Sequence, residues 1–199
     1  MKALKWIALP ALLLLAFAPP ALAKKDKSSG SFTVGCLTEA ETLQGWEGLD
    51  PGEAAAMVTI SPANLWPPNH KLTDVVLSLS LSADSTDPVD VSLTVNDITH
   101  DQVAGDNEGG HGCGAPTVKQ GFDWAPTDFS SLTADATLQL VSDSPIMLNG
   151  VQLRRERCAK DGTRLYAISV TCCDHTNDVC DTEPVILNVA VPKSKGKGP

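Results

Sequence analysis

Leu72-Thr73-Asp74-Val75-Val76-Leu77-Ser78-Leu79-Ser80-Leu81 is the stretch that decides how this chain folds. In an extended backbone Val75, Leu77, Leu79 and Leu81 face one way, while Ser78, Ser80 and Ser82 face the other. Period two with one polar side marks an antiparallel strand that buries one face. The rhythm recurs downstream. Val89, Val91, Leu93 and Val95 alternate with Asp90, Ser92 and Thr94. Tyr166, Ile168 and Val170 share one side of 165–172, and Val185, Leu187, Val189 and Val191 share one side of 185–191. Shorter candidates lie at 58–60, 137–141 and 151–155. Seven short strands between Asp, Gly, Pro and Ser turns, with no sustained 3.6-residue period, predict an all-β fold: an immunoglobulin-like antiparallel β-sandwich with a long loop insertion.

Outward from this body, the beginning of the chain has the layout of a secretory signal. Lys2 and Lys5 precede an apolar run from Trp6 to Ala18, Pro19 and Pro20 break it, and Ala21-Leu22-Ala23 offers small residues to a peptidase. The run is shorter than the roughly 20 apolar residues of a membrane-spanning helix. Residues 1–23 are therefore expected to be a signal peptide, and the product to be secreted or extracellular, in a bacterial periplasm, on a cell surface or in the medium. Residues 24–56 read as a partly disordered leader, with 24–35 rich in Lys, Ser and Gly and a short helix opening at Thr38. Residues 57–192 form the sandwich, and 193–199 a disordered basic tail.

Residues 1–23 carry two lysines and no acid, so their removal takes the formal net charge from −9 to −11. Such a charge repels phosphate backbones and anionic lipid, which argues against nucleic acid as a partner and against adsorption to lipid, and no other segment is long and apolar enough for membrane insertion after signal cleavage. All six cysteines, Cys36, Cys113, Cys158, Cys172, Cys173 and Cys180, lie beyond the signal. An even number in an oxidising compartment predicts three disulfides, with fifteen pairings open. Cys172 and Cys173 are strand neighbours, point to opposite faces and must take different partners. Cys173 and Cys180 flank the turn-like 174–178 and are placed to close that hairpin. Cys158 then has Cys172 or Cys113 as partner, and Cys36 staples the leader to the body.

Leu65-Trp66-Pro67-Pro68-Asn69-His70-Lys71, followed by an alternating strand, resembles the opening of an immunoglobulin-like repeat domain of secreted bacterial proteins. Val151-Gln152-Leu153-Arg154-Arg155-Glu156-Arg157 looks like that family's "LRAER" segment, and Asp161-Gly162-Thr163-Arg164-Leu165-Tyr166-Ala167-Ile168 like its Gly-Arg-x-Tyr-x-Ile strand. The last strand, ending Val189-Ala190-Val191-Pro192, also matches. Asp174, Asn177 and Cys180 stand where hyalin repeat (HYR) domains carry a strand-ending Asp, a turn Asn and a closing-strand cysteine. The likeness covers about residues 58–192. It implies an extracellular, non-catalytic module, commonly an appendage of surface or secreted proteins, and supplies no ligand. The chain departs from the pattern in the extra length of 103–150, in Gln102 where an acid is usual, and in Cys172 and Cys173 where small polar residues are usual.

Several constellations could carry chemistry. Asp97, Asp101, Asp106 and Glu108 cluster ahead of a Gly-rich run, and Asp174, Asp178 and Asp181 lie between the last two strands. Calcium takes six to eight oxygens from flexible loops, so it is the candidate ion for Asp97, Asp101, Asp106, Glu108, Asp174 and Asp178. Against it, Asp is also the ordinary residue of solvated turns. Zinc on His100, His111, Cys113 and His175 competes with oxidation of the thiol. There is no Gly-x-Ser-x-Gly elbow, and one tyrosine with Trp46, Trp66 and Trp124 is little to line a sugar cleft. No catalytic residue and no obligatory cofactor is expected, with calcium the one candidate. Arg154, Arg155, Glu156 and Arg157 read as a strand with weak cross-strand ion pairs. The expected function is a non-catalytic module that binds an extracellular protein or glycan through its end loops, chiefly 97–125. The alternatives are a purely structural accessory domain, or a hydrolase built on that loop.

Overall fold

The structure, a computed structural model, describes residues 28–38, 45–50, 52–68, 71–101, 124–155 and 162–192. Ten strands occur among them: β1 (Phe32–Cys36), β2 (Ala56–Ser61), β3 (Leu72–Leu81), β4 (Val89–His100), β5 (Trp124–Ala125), β6 (Thr133–Leu138), β7 (Ile146–Arg154), β8 (Arg164–Asp174), β9 (Val179–Cys180) and β10 (Val185–Val191). They form two antiparallel sheets, ordered β1-β2-β3-β7-β5 and β10-β8-β4-β6, with β9 a two-residue extension on β8. The order β2-β3-β7 facing β10-β8-β4-β6 is the A-B-E against G-F-C-C′ arrangement of an immunoglobulin-like sandwich. Between the sheets lie the residues that alternation put inward. Val75, Leu77 and Leu79 from one sheet, and Val91, Leu93, Ile168, Val170, Leu187 and Val189 from the other, are all sealed from solvent.

Three expectations change, each for a local reason. The first concerns the leader. Phe32-Thr33-Val34-Gly35-Cys36 pairs residue by residue with β2, so the body begins well before residue 57 and the described part of 24–35 is not a disordered leader. Phe32, Val34 and Cys36 alternate inward, a pattern hidden in composition by the Gly and Ser around it. The second concerns 137–141. The strand is β6, which lies earlier and ends at Leu138, and the inward residues Ala134 and Ala136 are too small to announce it. Beyond it the Asp143 carboxylate accepts the N–H groups of Gln139 (2.8 Å) and Leu140 (2.9 Å), which turns the chain and leaves Leu140 and Val141 exposed.

The third concerns strand length. β4 runs on to His100 and β7 starts back at Ile146 because each carries a bulge. Opposite β8 the register slips between Val95 and Asp97, so the inward set passes from Val95 to Ile98. On β7, Asn149 and Gly150 together oppose Val76, and the inward set passes from Leu148 to Val151. Gly150 has φ +101°, the left-handed backbone that such a bulge asks of its glycine. One extra residue reverses the phase of a period-two pattern, so strict alternation stops at each bulge.

Cys36 on β1 is joined to Cys172 on β8, and Cys173 to Cys180, its direct cross-strand partner. The hairpin pairing is the expected one. Cys172 goes to Cys36, which removes it as a partner for Cys158. Cys113 and Cys158 lie outside the described residues.

Candidate functional site

The strands deliver two chemically opposite ends. Among the described residues the only Lys and Arg side chains are Lys71, Arg154, Arg155 and Arg164, and all four sit at one end. Sheet register puts them there. Arg154 pairs with Leu72, the Arg155 N–H donates to the Lys71 carbonyl (2.9 Å), and Arg164 pairs with Val191. The three arginines are 6–8% exposed. The Tyr166 hydroxyl, fully buried at the start of β8, donates to the Arg154 carbonyl (2.9 Å) and accepts from Arg164 Nη1 (3.1 Å). This is the tyrosine corner of immunoglobulin-like folds, a tyrosine early in strand F bonded to backbone upstream. The Arg164 guanidinium lies 5.3 Å from the Tyr166 ring centre. His100 meets Tyr166 and Trp124 edge-on at centroid distances of 6.0 and 5.9 Å. Arg155 Nη1 reaches the Trp66 carbonyl at 3.5 Å.

The same end receives both flanks of the long segment 102–123. Asp101 exchanges two bonds with Leu165, donating its N–H to the Leu165 carbonyl (3.1 Å) and accepting the Leu165 N–H on Oδ1 (2.8 Å). Trp124 pairs with Leu153. A planar guanidinium fork favours carboxylate, phosphate and sulfate, and aromatic rings beside it offer stacking surface.

The opposite end is acidic and tied to itself. Glu47, Asp50, Glu53, Asp84, Asp87, Asp90, Asp143, Asp174 and Asp178 lie there, on or beside the turns that join the strands. Asp84 Oδ1 accepts the Val141 N–H (2.7 Å), the Gly45 carbonyl accepts the Thr86 N–H (2.8 Å), and Gln139 Nε2 donates to the Thr86 carbonyl (3.3 Å). Asp174 is fully buried and saturated: it accepts the Thr176 and Asn177 N–H groups, Asn177 Nδ2 and Trp46 Nε1 at 2.7–3.2 Å.

Of the acidic residues singled out for calcium, those among the described residues lie apart. Asp101 stands beside Leu165 and Asp174 closes the same strand nine residues on, roughly 30 Å away at strand rise. Asp97 sits in the β4 bulge with Oδ1 on the Ile98 N–H (2.8 Å). Asp178 is an exposed turn residue at φ 55°. Asp106 and Glu108 lie outside the described residues. His100 and His175 occupy opposite ends, and His111 and Cys113 lie outside the described residues. The one group of metal-type donors among the described residues is Cys36, Cys172 and Asp181, within 4.8 Å of one another. Its two sulfurs are bonded to each other, which leaves no thiolate to ligate.

Sequence reasoning did not single out the pair formed by Ser92 Oγ and His175 Nε2, 2.8 Å apart on the outer face of the β4-β8 sheet. Asp90, Thr133, Asp135 and Thr137 line the shallow groove beside them. The distance is that of a nucleophile and its base. Around Ser92, β4 pairs with β8 on one side and with β6 on the other, and the Asp90 N–H donates to Thr176 Oγ1 (2.8 Å). Only proximity across strands could reveal this pair, because 83 residues separate its members.

No protein-family model matches this chain, and no curated protein or solved structure does either.

Proposed function

We propose that the chain is an exported, non-catalytic binding module of the extracellular space, related to the HYR-like repeats, and that it meets its partner at the Arg154/Arg155/Arg164 end. One observation carries this reading. On a strongly acidic protein the described cations gather at the end from which 102–123 leaves and to which it returns. A long insertion between sandwich strands is the part of such a fold free to carry recognition. Two disulfides among the described residues suit an oxidising compartment. Among the described residues no helix is long and apolar enough to cross a membrane. Calcium, if bound, would serve the segment carrying Asp106 and Glu108 rather than the hairpin holding Asp174, whose carboxylate is already fully hydrogen-bonded.

The test is deposition of the fluorescently labelled protein, without residues 1–23, on isolated bacterial cell envelopes and on the producing organism's extracellular polysaccharide. A variant with 103–122 replaced by a short Gly-Ser linker is run alongside. The reading expects saturable deposition that the linker variant loses while keeping its melting temperature. Deposition unaffected by the linker would move the contact elsewhere. No deposition on either surface would favour a purely structural accessory, and a hydrolytic activity lost in Ser92→Ala would overturn the non-catalytic reading.

A further inference from the structure

We propose that Cys173–Cys180 is a reducible latch on the acidic end, opened by a dithiol under conditions that leave the inter-sheet bond Cys36–Cys172 closed. The two disulfides occupy contrasting surroundings although Cys172 and Cys173 are chain neighbours. Cys36 and Cys172 are both fully buried between the sheets and span 136 residues. The Asp181 carboxylate lies within 4.8 Å of their sulfurs, held by the N–H groups of Leu37 (2.7 Å) and Cys172 (3.3 Å). An attacking thiolate must enter a closed core and approach a like charge, and both oppose exchange. Cys173 and Cys180 point to the other face of β8. Cys180 is exposed and Cys173 half-buried, and their bond closes a loop with a separation of only 7 residues.

The reaction balances without any group beyond the reductant. A thiolate of the dithiol attacks Cys180 Sγ at the surface, and Cys173 leaves as a thiolate that takes up a proton. The second thiol of the reductant then attacks the mixed disulfide and releases Cys180 as a thiol. Two electrons pass from the dithiol to the cystine, and the dithiol ends as a disulfide.

Opening has a defined reach. Beyond the disulfide, β9 is held to β8 by two residue pairs, Cys173 with Cys180 and Asp174 with Val179, and directly after it by the Asp181 N–H on the Cys172 carbonyl (3.0 Å). The turn it closes supplies His175 to Ser92 (2.8 Å), the His175 N–H to the Asp90 carbonyl (2.7 Å), and Thr176 Oγ1 to the Asp90 N–H (2.8 Å). Reduction therefore frees the wall of the Ser92 groove, while the buried bond keeps the two sheets joined. Local opening of a small, weakly paired unit inside an intact fold is the expected response.

The experiment treats the folded protein, without residues 1–23, with millimolar dithiothreitol at pH 8. Aliquots are alkylated over time with N-ethylmaleimide and each cysteine is quantified by peptide mass spectrometry. Labelling of Cys173 and Cys180 at least tenfold faster than Cys36 and Cys172, with near-ultraviolet circular dichroism unchanged, is expected. Equal rates for the two pairs, or labelling of Cys173 and Cys180 only on global unfolding, would overturn the proposal. Hydrogen exchange provides a second reading on oxidised and reduced protein and on C173A/C180A. Amides of 174–180 should exchange at least tenfold faster in the reduced protein and in the variant. Unchanged exchange in the reduced protein would mean that the bond latches nothing.

Discussion

Replacing Tyr166, the only tyrosine, by Phe tests the corner that organises the basic end. The ring stays and the core volume hardly changes, so the perturbation is the loss of one hydroxyl. That hydroxyl is fully buried, donates to the Arg154 carbonyl at 2.9 Å and accepts from Arg164 Nη1 at 3.1 Å. Tyr166→Phe removes the donor to a buried carbonyl and the acceptor for a guanidinium N–H. A buried polar group stripped of its partner costs about 1–3 kcal/mol, and we expect a loss of about 2 kcal/mol. For a domain of this size that corresponds to a fall in Tm of roughly 4–8 °C. Urea unfolding of wild type and variant, followed by tryptophan fluorescence with the disulfides intact, measures it, and the m-value should not change. A loss below about 0.5 kcal/mol, the range of ordinary surface substitutions, would refute the corner as a brace.

Three further outcomes follow from particular contacts. Loop-closure entropy over separations of 136 and 7 residues makes the double substitution C36A/C172A cost about 5 kcal/mol and C173A/C180A about 2 kcal/mol, and denaturant titration of both should preserve that order. Non-reducing peptide mapping should find Cys113 joined to Cys158, the partner left once four cysteines are paired, and a free thiol at either position would contradict this. The N–H groups of Leu140 and Gln139 hold the Asp143 carboxyl below its ordinary range. A carboxyl depressed on folding stabilises fully above its unfolded value and loses that contribution as pH falls through the folded one. Stability measured from about pH 4 downward should accordingly fall less steeply in Asp143→Asn than in wild type, and equal slopes would show that the turn bonds do not favour the charged form.

Much of the architecture was legible along the chain. The inward faces of β3, the first half of β4, β8 and β10 follow from alternation, because a strand's side chains obey a strictly local geometry. The turn-like 174–178 between Cys173 and Cys180 marked the last hairpin, because its residues are neighbours in sequence. The bulged halves of β4 and β7 were lost where one residue reversed the phase, and β1 and β6 where Gly and Ala carried the inward positions or their neighbours. At the candidate site, the resemblance pointed to 151–157 and 161–168, and the residues themselves did not say that Arg154, Tyr166 and Arg164 meet.

By itself the amino-acid order determined which residues prefer an extended backbone, which side of each strand is apolar, and that Cys172 and Cys173 must part. Tertiary structure alone decided that Cys36 meets Cys172, that Ser92 meets His175, and that the described cations share one end while most of the described carboxylates share the other. The physical reason is range. Backbone alternation is settled within a few residues, whereas these meetings join positions 83 to 136 residues apart and exist only once both sheets have formed and closed on a common core.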